Sequence, residues 1–389
     1  MDFDLIIVGG GLVGASLARA ARGLSVALIA RERRSPDAPG PQGLFDARIY
    51  AISPGSRAFL RKLNAWQALP EARVAPVHAM RVFGDDGASA LEFDAYRGGS
   101  PELAWIVEDS ALQDALWRSL EGRDGMEIFA PADCERLETD GERTVLRLRD
   151  GRSLAARLVV GADGARSFVR EQAGVGVDER GYGQSAVVAN FACEKAHRNI
   201  AYQWFQGGPV LALLPLPGDH HVSMVWSTAD ANAERLMALD SEVLCLDLEY
   251  ATKGMLGRFD LVTAPRRFPL RRLKAHRLIA PRVALVGDAA HVIHPLAGQG
   301  ANLGFGDACE LAAVLDGREP IRDPGDFALL RRYERARAGP VFAMSAAVDG
   351  LFRLFGAKSG AIALARNAGL NLTDRVPVLK NVLMRQAMG

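Results

Sequence analysis

Cysteine is scarce in this sequence. Four occur in 389 residues, at positions 134, 193, 245 and 309, with no C-x-x-C pair and no metal-ligand spacing. A disulfide framework and dithiol redox chemistry are therefore not indicated, and the thiols fit a reducing compartment. Neither sign of charge dominates: 47 Lys and Arg stand against 46 Asp and Glu, a net charge of +1, which offers a nucleic-acid backbone little to bind. An uninterrupted apolar run of the ~20 residues needed to span a bilayer is missing. The first residues enter a strand directly, without a basic leader and cleavage site. The expectation is a cytoplasmic protein, at most peripheral to the inner membrane. Internal repeats and low-complexity segments are also lacking.

Glycine, by contrast, is plentiful at 40 residues, and the length of 389 exceeds one ordinary domain and suits two. Some of those glycines are clustered where chemistry needs them. Asp4-Leu5-Ile6-Ile7-Val8 reads as a buried strand, and Gly9-Gly10-Gly11-Leu12-Val13-Gly14 follows it as G-x-G-x-x-G, leading into a helical stretch from Ala15 to Arg22. In that strand-turn-helix setting the motif is a dinucleotide fingerprint: Gly9 for the tight turn, Gly11 for backbone approach to a pyrophosphate, Gly14 for close helix packing. The second strand, Ser25 to Ala30, ends on Ala30 where an acidic residue would normally grip the ribose. Glu32, two residues on, is the residue expected to take its place.

Two further blocks have the same form. Leu158-Val159-Val160 leads into Gly161-Ala162-Asp163-Gly164-Ala165-Arg166-Ser167-Phe168-Val169-Arg170, with Ser167 and Arg170 one helical face apart, and Arg282-Val283-Ala284-Leu285-Val286 leads into Gly287-Asp288-Ala289-Ala290-His291. An acidic side chain at a strand's carboxyl end can accept hydrogen bonds from a ribityl or ribose hydroxyl. The segment from about Ala301 to Leu315 has helical spacing, and Gly298 and Gly300 at its start leave room for a ligand to approach unpaired N–H groups. Taken alone, the last block reads equally well as an ordinary strand, turn and helix.

Together, the order and spacing of the three blocks, with Phe45-Asp46-Ala47-Arg48 and the string from His294 to Gly304, resemble the FAD-dependent aromatic hydroxylases of the para-hydroxybenzoate hydroxylase type, and most nearly the ubiquinone-biosynthesis hydroxylases, the UbiH family. The likeness covers nearly the whole chain. It implies an α/β fold: a Rossmann-like FAD-binding domain, a second antiparallel β-sheet substrate domain and C-terminal helices. It also implies that Gly9, Gly11, Leu12, Val13 and Gly14 hold the FAD pyrophosphate and that Asp288 holds the ribityl chain. Pro295, Gly298, Gln299, Gly300, Ala301 and Asn302 would line the isoalloxazine edge. Arg48 and Gln113 match flavin-contacting positions, and Asp163 matches an acidic residue tied to both FAD and NAD(P)H. Ser110 stands where many relatives have arginine, so one phosphate contact of the pattern is missing.

The three flavin blocks must converge on one sheet, so the FAD-binding domain is expected to be discontinuous, over residues 1–75, 100–180 and 270–330. The substrate sheet takes 76–99 and 181–269, and a helical segment 331–389 closes the chain. Within 181–269, strand-like runs alternate, placing Tyr202 with Trp204, and Val222 with Met224 and Trp226, on single faces. Such a face would either roof the flavin and take an aromatic substrate or form sheet core under helices. His291 is expected to be structural. The basic run Arg266, Arg267, Arg271, Arg272, Lys274, His276 and Arg277 is expected to be a solvated surface.

A second nucleotide fold is not evident, since Gly174-Val175-Gly176 lacks a third glycine at Glu179. In the resembled class NAD(P)H binds transiently, reduces the flavin and leaves, and a C4a-hydroperoxyflavin hydroxylates a phenol ring. The implied reaction is ring hydroxylation of a polyprenylated phenol in ubiquinone biosynthesis with O2, at a membrane surface or in a biosynthetic complex. Three other readings stay open: a hydroxylase of a small soluble aromatic acid, a flavin dehydrogenase or reductase, and a non-enzymatic FAD-binding accessory protein. No side chain identifies itself as the base; Tyr202 and the histidines are the ones to weigh.

Overall fold

A computed structural model describes residues 2–34, 45–84, 90–97, 99–293 and 300–356. The apolar run of strand Asp2–Val8 places it inside a parallel sheet, flanked by Ser153–Gly161 on one side and Val26–Ile29 on the other. Met126–Phe129 and Val283–Leu285 extend the parallel set outward, and Ile279–Ala280 closes one edge antiparallel. Strands covered on both faces carry near-continuous apolar residues. Here Leu5 and Ile7 pack with helices Leu12–Ala20, Asp109–Leu120 and Gly300–Asp316, whereas Ile6 and Val8 pack with Leu137 and Leu146 of the antiparallel strands Cys134–Thr139 and Thr144–Leu148.

A second sheet runs in the order His291–Val292, Arg266–Ala275, Val177–Cys193, His221–Ala229, Val210–Pro215, Ile200–Phe205, Ala79–Phe83, Ala90–Asp94. It is antiparallel except where Ile200–Phe205 pairs parallel with Ala79–Phe83. Strand Arg266–Ala275 belongs wholly to this sheet, so the chain leaves it after Ala275 rather than near residue 270. A third, three-stranded sheet of Ile49–Ile52, Ala104–Glu108 and Val74–Val77 has no counterpart in the sequence reading. Helix Phe327–Gly356 follows; the remainder of the expected helical segment, 357–389, lies outside the described residues.

The aromatic face of the second sheet is core, not a ligand roof. Tyr202, Trp204, Met224 and Trp226 are all buried against Leu236, Leu244 and Leu248 of helices Asp230–Met237 and Ser241–Ala251. Two amphipathic helices need an apolar surface to cover, and the aromatic rows supply it.

Candidate functional site

The three sequence blocks emerge at one edge of the parallel sheet, because Val8 pairs with Gly161 and Gly161 with Leu285 in register. Ligands of open α/β sheets bind outside such carboxyl ends. Gly9 has φ +117°, and a Cβ there would stand 2.2 Å from the Ala162 carbonyl oxygen; a Cβ on Gly14 would stand 1.9 Å from Gly9 O. Gly11 differs: a Cβ there would meet nothing within 4 Å, and it precedes helix Leu12–Ala20 without any side-chain cap. Open space beside unpaired helix N–H groups is a cradle for an anionic pyrophosphate. Leu12 is buried, and the Val13 side chain is what a Cβ on Gly287 or Gly304 would strike, at 3.1 and 2.6 Å. Both side chains pack inward, leaving the backbone of these residues to face the cradle.

Arg48, Tyr50, Asp109 and Asp288 form the charged part of the site. The Arg48 guanidinium lies 5.3 Å from the Tyr50 ring centroid, the Tyr50 hydroxyl donates to Asp109 Oδ1 at 3.1 Å, and Gln113 Nε2 donates to the same oxygen at 2.8 Å. Arg48 and Asp288 are both solvent-accessible yet recessed within the protein. Burial pushes the Asp288 carboxyl up from its ordinary value, opposed by Arg48 and His291. Burial works against the Arg48 charge as well, but Tyr50, Asp109 and Asp288 outweigh it and raise that pKa. Charges that are accessible yet recessed suit a bound polar ligand. Glu32 is exposed at the end of the second strand, beside an Arg34–Asp114 ion pair of 3.1 Å.

Other predicted residues have structural employment. Asp163 accepts from Ser167 Oγ at 2.5 Å and from Val169 N–H at 3.1 Å, shaping the entry to helix Phe168–Gln172. Asn302 donates to Ala51 O at 2.8 Å and accepts from Ser53 N–H at 3.0 Å, clipping helix Gly300–Asp316 to the third sheet. Gly300 starts that helix in open space, where a Cβ would meet nothing within 4 Å, and Ala301 beside it is half-buried. Pro295, Gly298 and Gln299, like His294, lie outside the described residues.

Several residues that build the site were missed from sequence. Asn190, fully buried, donates to Asp46 O at 2.8 Å; Glu108, almost fully buried, accepts from Asp46 N–H at 2.7 Å; Asp46 in turn accepts from Ser110 N–H at 2.7 Å. These contacts hold the segment leading to Arg48. Arg170 spans two blocks, donating to Ala165 O at 2.9 Å and Ala289 O at 2.8 Å. Apart from the local Arg170–Ala165 bond, only the fold brings these partners together, 62 to 144 positions apart; Arg170 itself stood in the central block, one helical face from Ser167. His291 is structural, bound to Asp307 at 2.6 Å.

The face of the second sheet opposite the aromatic rows is less fully covered. Met80, Ala212, Leu214 and Val225 sit in mid-sheet yet are only half-buried. Phe45, three residues before Arg48, packs with Met80 and Leu214 at one end of this surface, and Ile293, just past the Asp288 turn, packs with Val82 and Phe205 at the other. Of the histidines, His221 lies here, its ring 5.3 Å from that of Phe45. His197 is committed to Leu216 O and Gly218 O, with burial lowering its pKa. Tyr202 is core and is not a base for this site. Part of the basic run is paired at the surface: Arg267 pairs with Asp230 and Glu234, Arg271 with Glu179, and His276 contacts Asp178.

A family model described as an FAD binding domain matches residues 2–346. Ubiquinone hydroxylase UbiL of Rhodospirillum rubrum is 36% identical over 387 residues, covering 99% of this chain and 89% of that protein. The 3-demethoxyubiquinol 3-hydroxylase of Escherichia coli is 34% identical over 391 residues, covering 99% and 98%. In fold, the chain is similar to PqsL of Pseudomonas aeruginosa, solved in complex with 2-aminobenzoylacetate, with a TM-score of 0.78, 24% identity and coverage of 95% and 99%.

Proposed function

This chain belongs to the FAD binding domain family and, within it, to the ubiquinone-biosynthesis hydroxylases, and from that premise we propose that it hydroxylates the aromatic ring of a polyprenylated phenol. It is an FAD-dependent monooxygenase with NAD(P)H and O2 as co-substrates. Its residues fit the cofactor: an open cradle at Gly11, an uncapped helix start, and a recessed, accessible Asp288 near Arg48. Backbone N–H groups at Gly11, Leu12 and Val13 would hold the pyrophosphate with Gly9 and Gly14 shaping the loop. Asp288 would accept from ribityl hydroxyls, and Arg48, Gln113 and the start of helix Gly300–Asp316 would face the flavin. When bound, FAD supplies the activation of oxygen.

The chain's own part is to bind, orient and keep water out. The observation that carries the reading is the half-buried apolar surface of Met80, Ala212, Leu214 and Val225, bounded by Phe45 beside the Arg48 segment and Ile293 beside the Asp288 turn. A phenol ring on that surface would displace water and lie next to the flavin edge. In this reading the charged motifs belong mainly to the parallel sheet and its helices, and the ring would lie on the second sheet. An apolar polyprenyl tail has negligible solubility in water, so the enzyme would meet it at a membrane surface or within a complex; no helix of the described residues is long and apolar enough to cross a bilayer. Deletion of the gene tests the proposal: an accumulated prenylphenol lacking one ring hydroxyl supports it, and an unchanged quinone pool with a block in soluble aromatic acid use contradicts it.

A further inference from the structure

The turn that carries Asp288 is held from beneath by a second carboxylate. Asp307, in the third turn of helix Gly300–Asp316, is fully buried. Its Oδ2 accepts from Gly287 N–H at 2.9 Å and from His291 Nε2 at 2.6 Å, and its Oδ1 accepts from Arg337 Nε at 2.7 Å. Arg337 reaches in from helix Phe327–Gly356, where its Nη2 also donates to Leu303 O at 3.0 Å. Burial alone would push the Asp307 carboxyl up, but His291 and Arg337 hold it below its ordinary range. A charge in such a place is tolerated only when paired and hydrogen-bonded, and an apolar contact would join these elements at least as stably.

The network does one thing that an apolar contact cannot. It ties residues 287 and 291 to a single oxygen, and Asp288 lies between them. Arg170 pins the same turn at Ala289 O. Gly287 holds φ +59°, a left-handed conformation that glycine adopts without strain, so the turn depends on its anchors as well as its composition. Groups that orient a binding residue commonly matter almost as much as that residue.

We propose that Asp307 is a positioning residue for the FAD site: through Gly287 and His291 it fixes the turn that presents Asp288, and through Arg337 it ties that geometry to helix Phe327–Gly356. The proposal rests on Asp288 as an FAD ligand. The test is a double-mutant cycle of Asp307→Asn and Asp288→Asn, reading FAD affinity by titrating apoprotein at a temperature where every variant is folded by circular dichroism. Asp307→Asn should weaken FAD by roughly tenfold in the native background and by less than about threefold when Asp288 is already Asn, because its effect passes through that side chain. Equal losses in both backgrounds would make Asp307 a general stabiliser and overturn the proposal. If Asp288→Asn leaves FAD affinity unchanged, the Asp288 assignment itself fails and the proposal goes with it. If Asp307→Asn does not fold, Arg337→Gln replaces it in the same cycle, with coupling supporting the proposal and additivity overturning it.

Discussion

Gly14 lies so close to Gly9 that a Cβ on Gly14 would stand 1.9 Å from the Gly9 carbonyl oxygen. Backbone, not a flexible side chain, occupies that space, so Gly14→Ala should cost the apoprotein more than the ~1–3 kcal/mol of ordinary overpacking. Gly11→Ala meets nothing within 4 Å and should leave apoprotein stability nearly unchanged while filling the cradle, lowering FAD affinity by about tenfold or more, the scale of losing one good hydrogen bond to a charged group. Thermal unfolding of apoprotein together with FAD titration separates the two. Comparable stability losses in both variants would mean that the fingerprint serves folding alone.

Asp288→Asn should trade cofactor affinity for stability. Burial raises the Asp288 pKa in the folded chain, so the stability this carboxyl confers is present below the ordinary carboxylate range and lost as pH rises through the raised value. At neutral pH its charge therefore works against the apoprotein, and Asn relieves that. The same change removes a charged acceptor, weakening FAD by roughly ten- to a hundredfold. Expected are an apoprotein Tm at neutral pH equal to or above that of the unaltered protein, and weaker FAD. A lowered apoprotein Tm with unchanged affinity would assign Asp288 to the fold.

The two faces of the second sheet should respond differently to truncation. Trp204 is 4% exposed and stacks on Phe83 at 5.3 Å, so Trp204→Ala should lower stability by about 3–5 kcal/mol while product formed per NAD(P)H stays constant in whatever protein remains folded. Leu214→Ala, on the half-buried surface beside Phe45, should do the reverse, with modest loss of stability and poorer coupling. Coupling lost in Trp204→Ala but intact in Leu214→Ala would place the substrate on the wrong side of the sheet.

That face assignment marks where the sequence stops being legible. Period-two alternation correctly grouped Tyr202 with Trp204, but alternation cannot say which face meets helices, and here the helices Asp230–Met237 and Ser241–Ala251 took the aromatic one. The glycine blocks were readable because each lies at its strand's end and Gly14 packs on the nearby Gly9, a local reason; the collision of Gly9 with Ala162 is set by the fold. Asn302 was readable by position and not by role, since its partners Ala51 and Ser53 lie some 250 residues away. Asp307 and Glu108 carry no local signal at all; a buried charge looks like any surface charge until its partners are placed. The three-stranded sheet around Ile49–Ile52 was missed because its strands are short and widely separated in the chain.

The thiols should be inert in the native protein. Burial pushes Cys134 up to about 12 and Cys193 up to about 11, and raises Cys245 and Cys309 as well. The thiolate is the reactive form, and its fraction grows only as pH approaches these values. Alkylation at pH 8 should therefore leave Cys134 and Cys193 unmodified over a time in which the denatured chain reacts fully, as read by mass spectrometry. Rapid native labelling of either would contradict their burial.

The apolar sheet surface beside the flavin motifs should receive the ring of a prenylated phenol, and product formed per NAD(P)H consumed reads this out. Phenols with a prenyl chain, presented in detergent or lipid, should be hydroxylated with most of the reducing equivalents captured in product. Short soluble analogues leave the site open to water and should release hydrogen peroxide instead. Efficient coupling on a soluble hydroxybenzoate, with none on prenylphenols, would contradict the account.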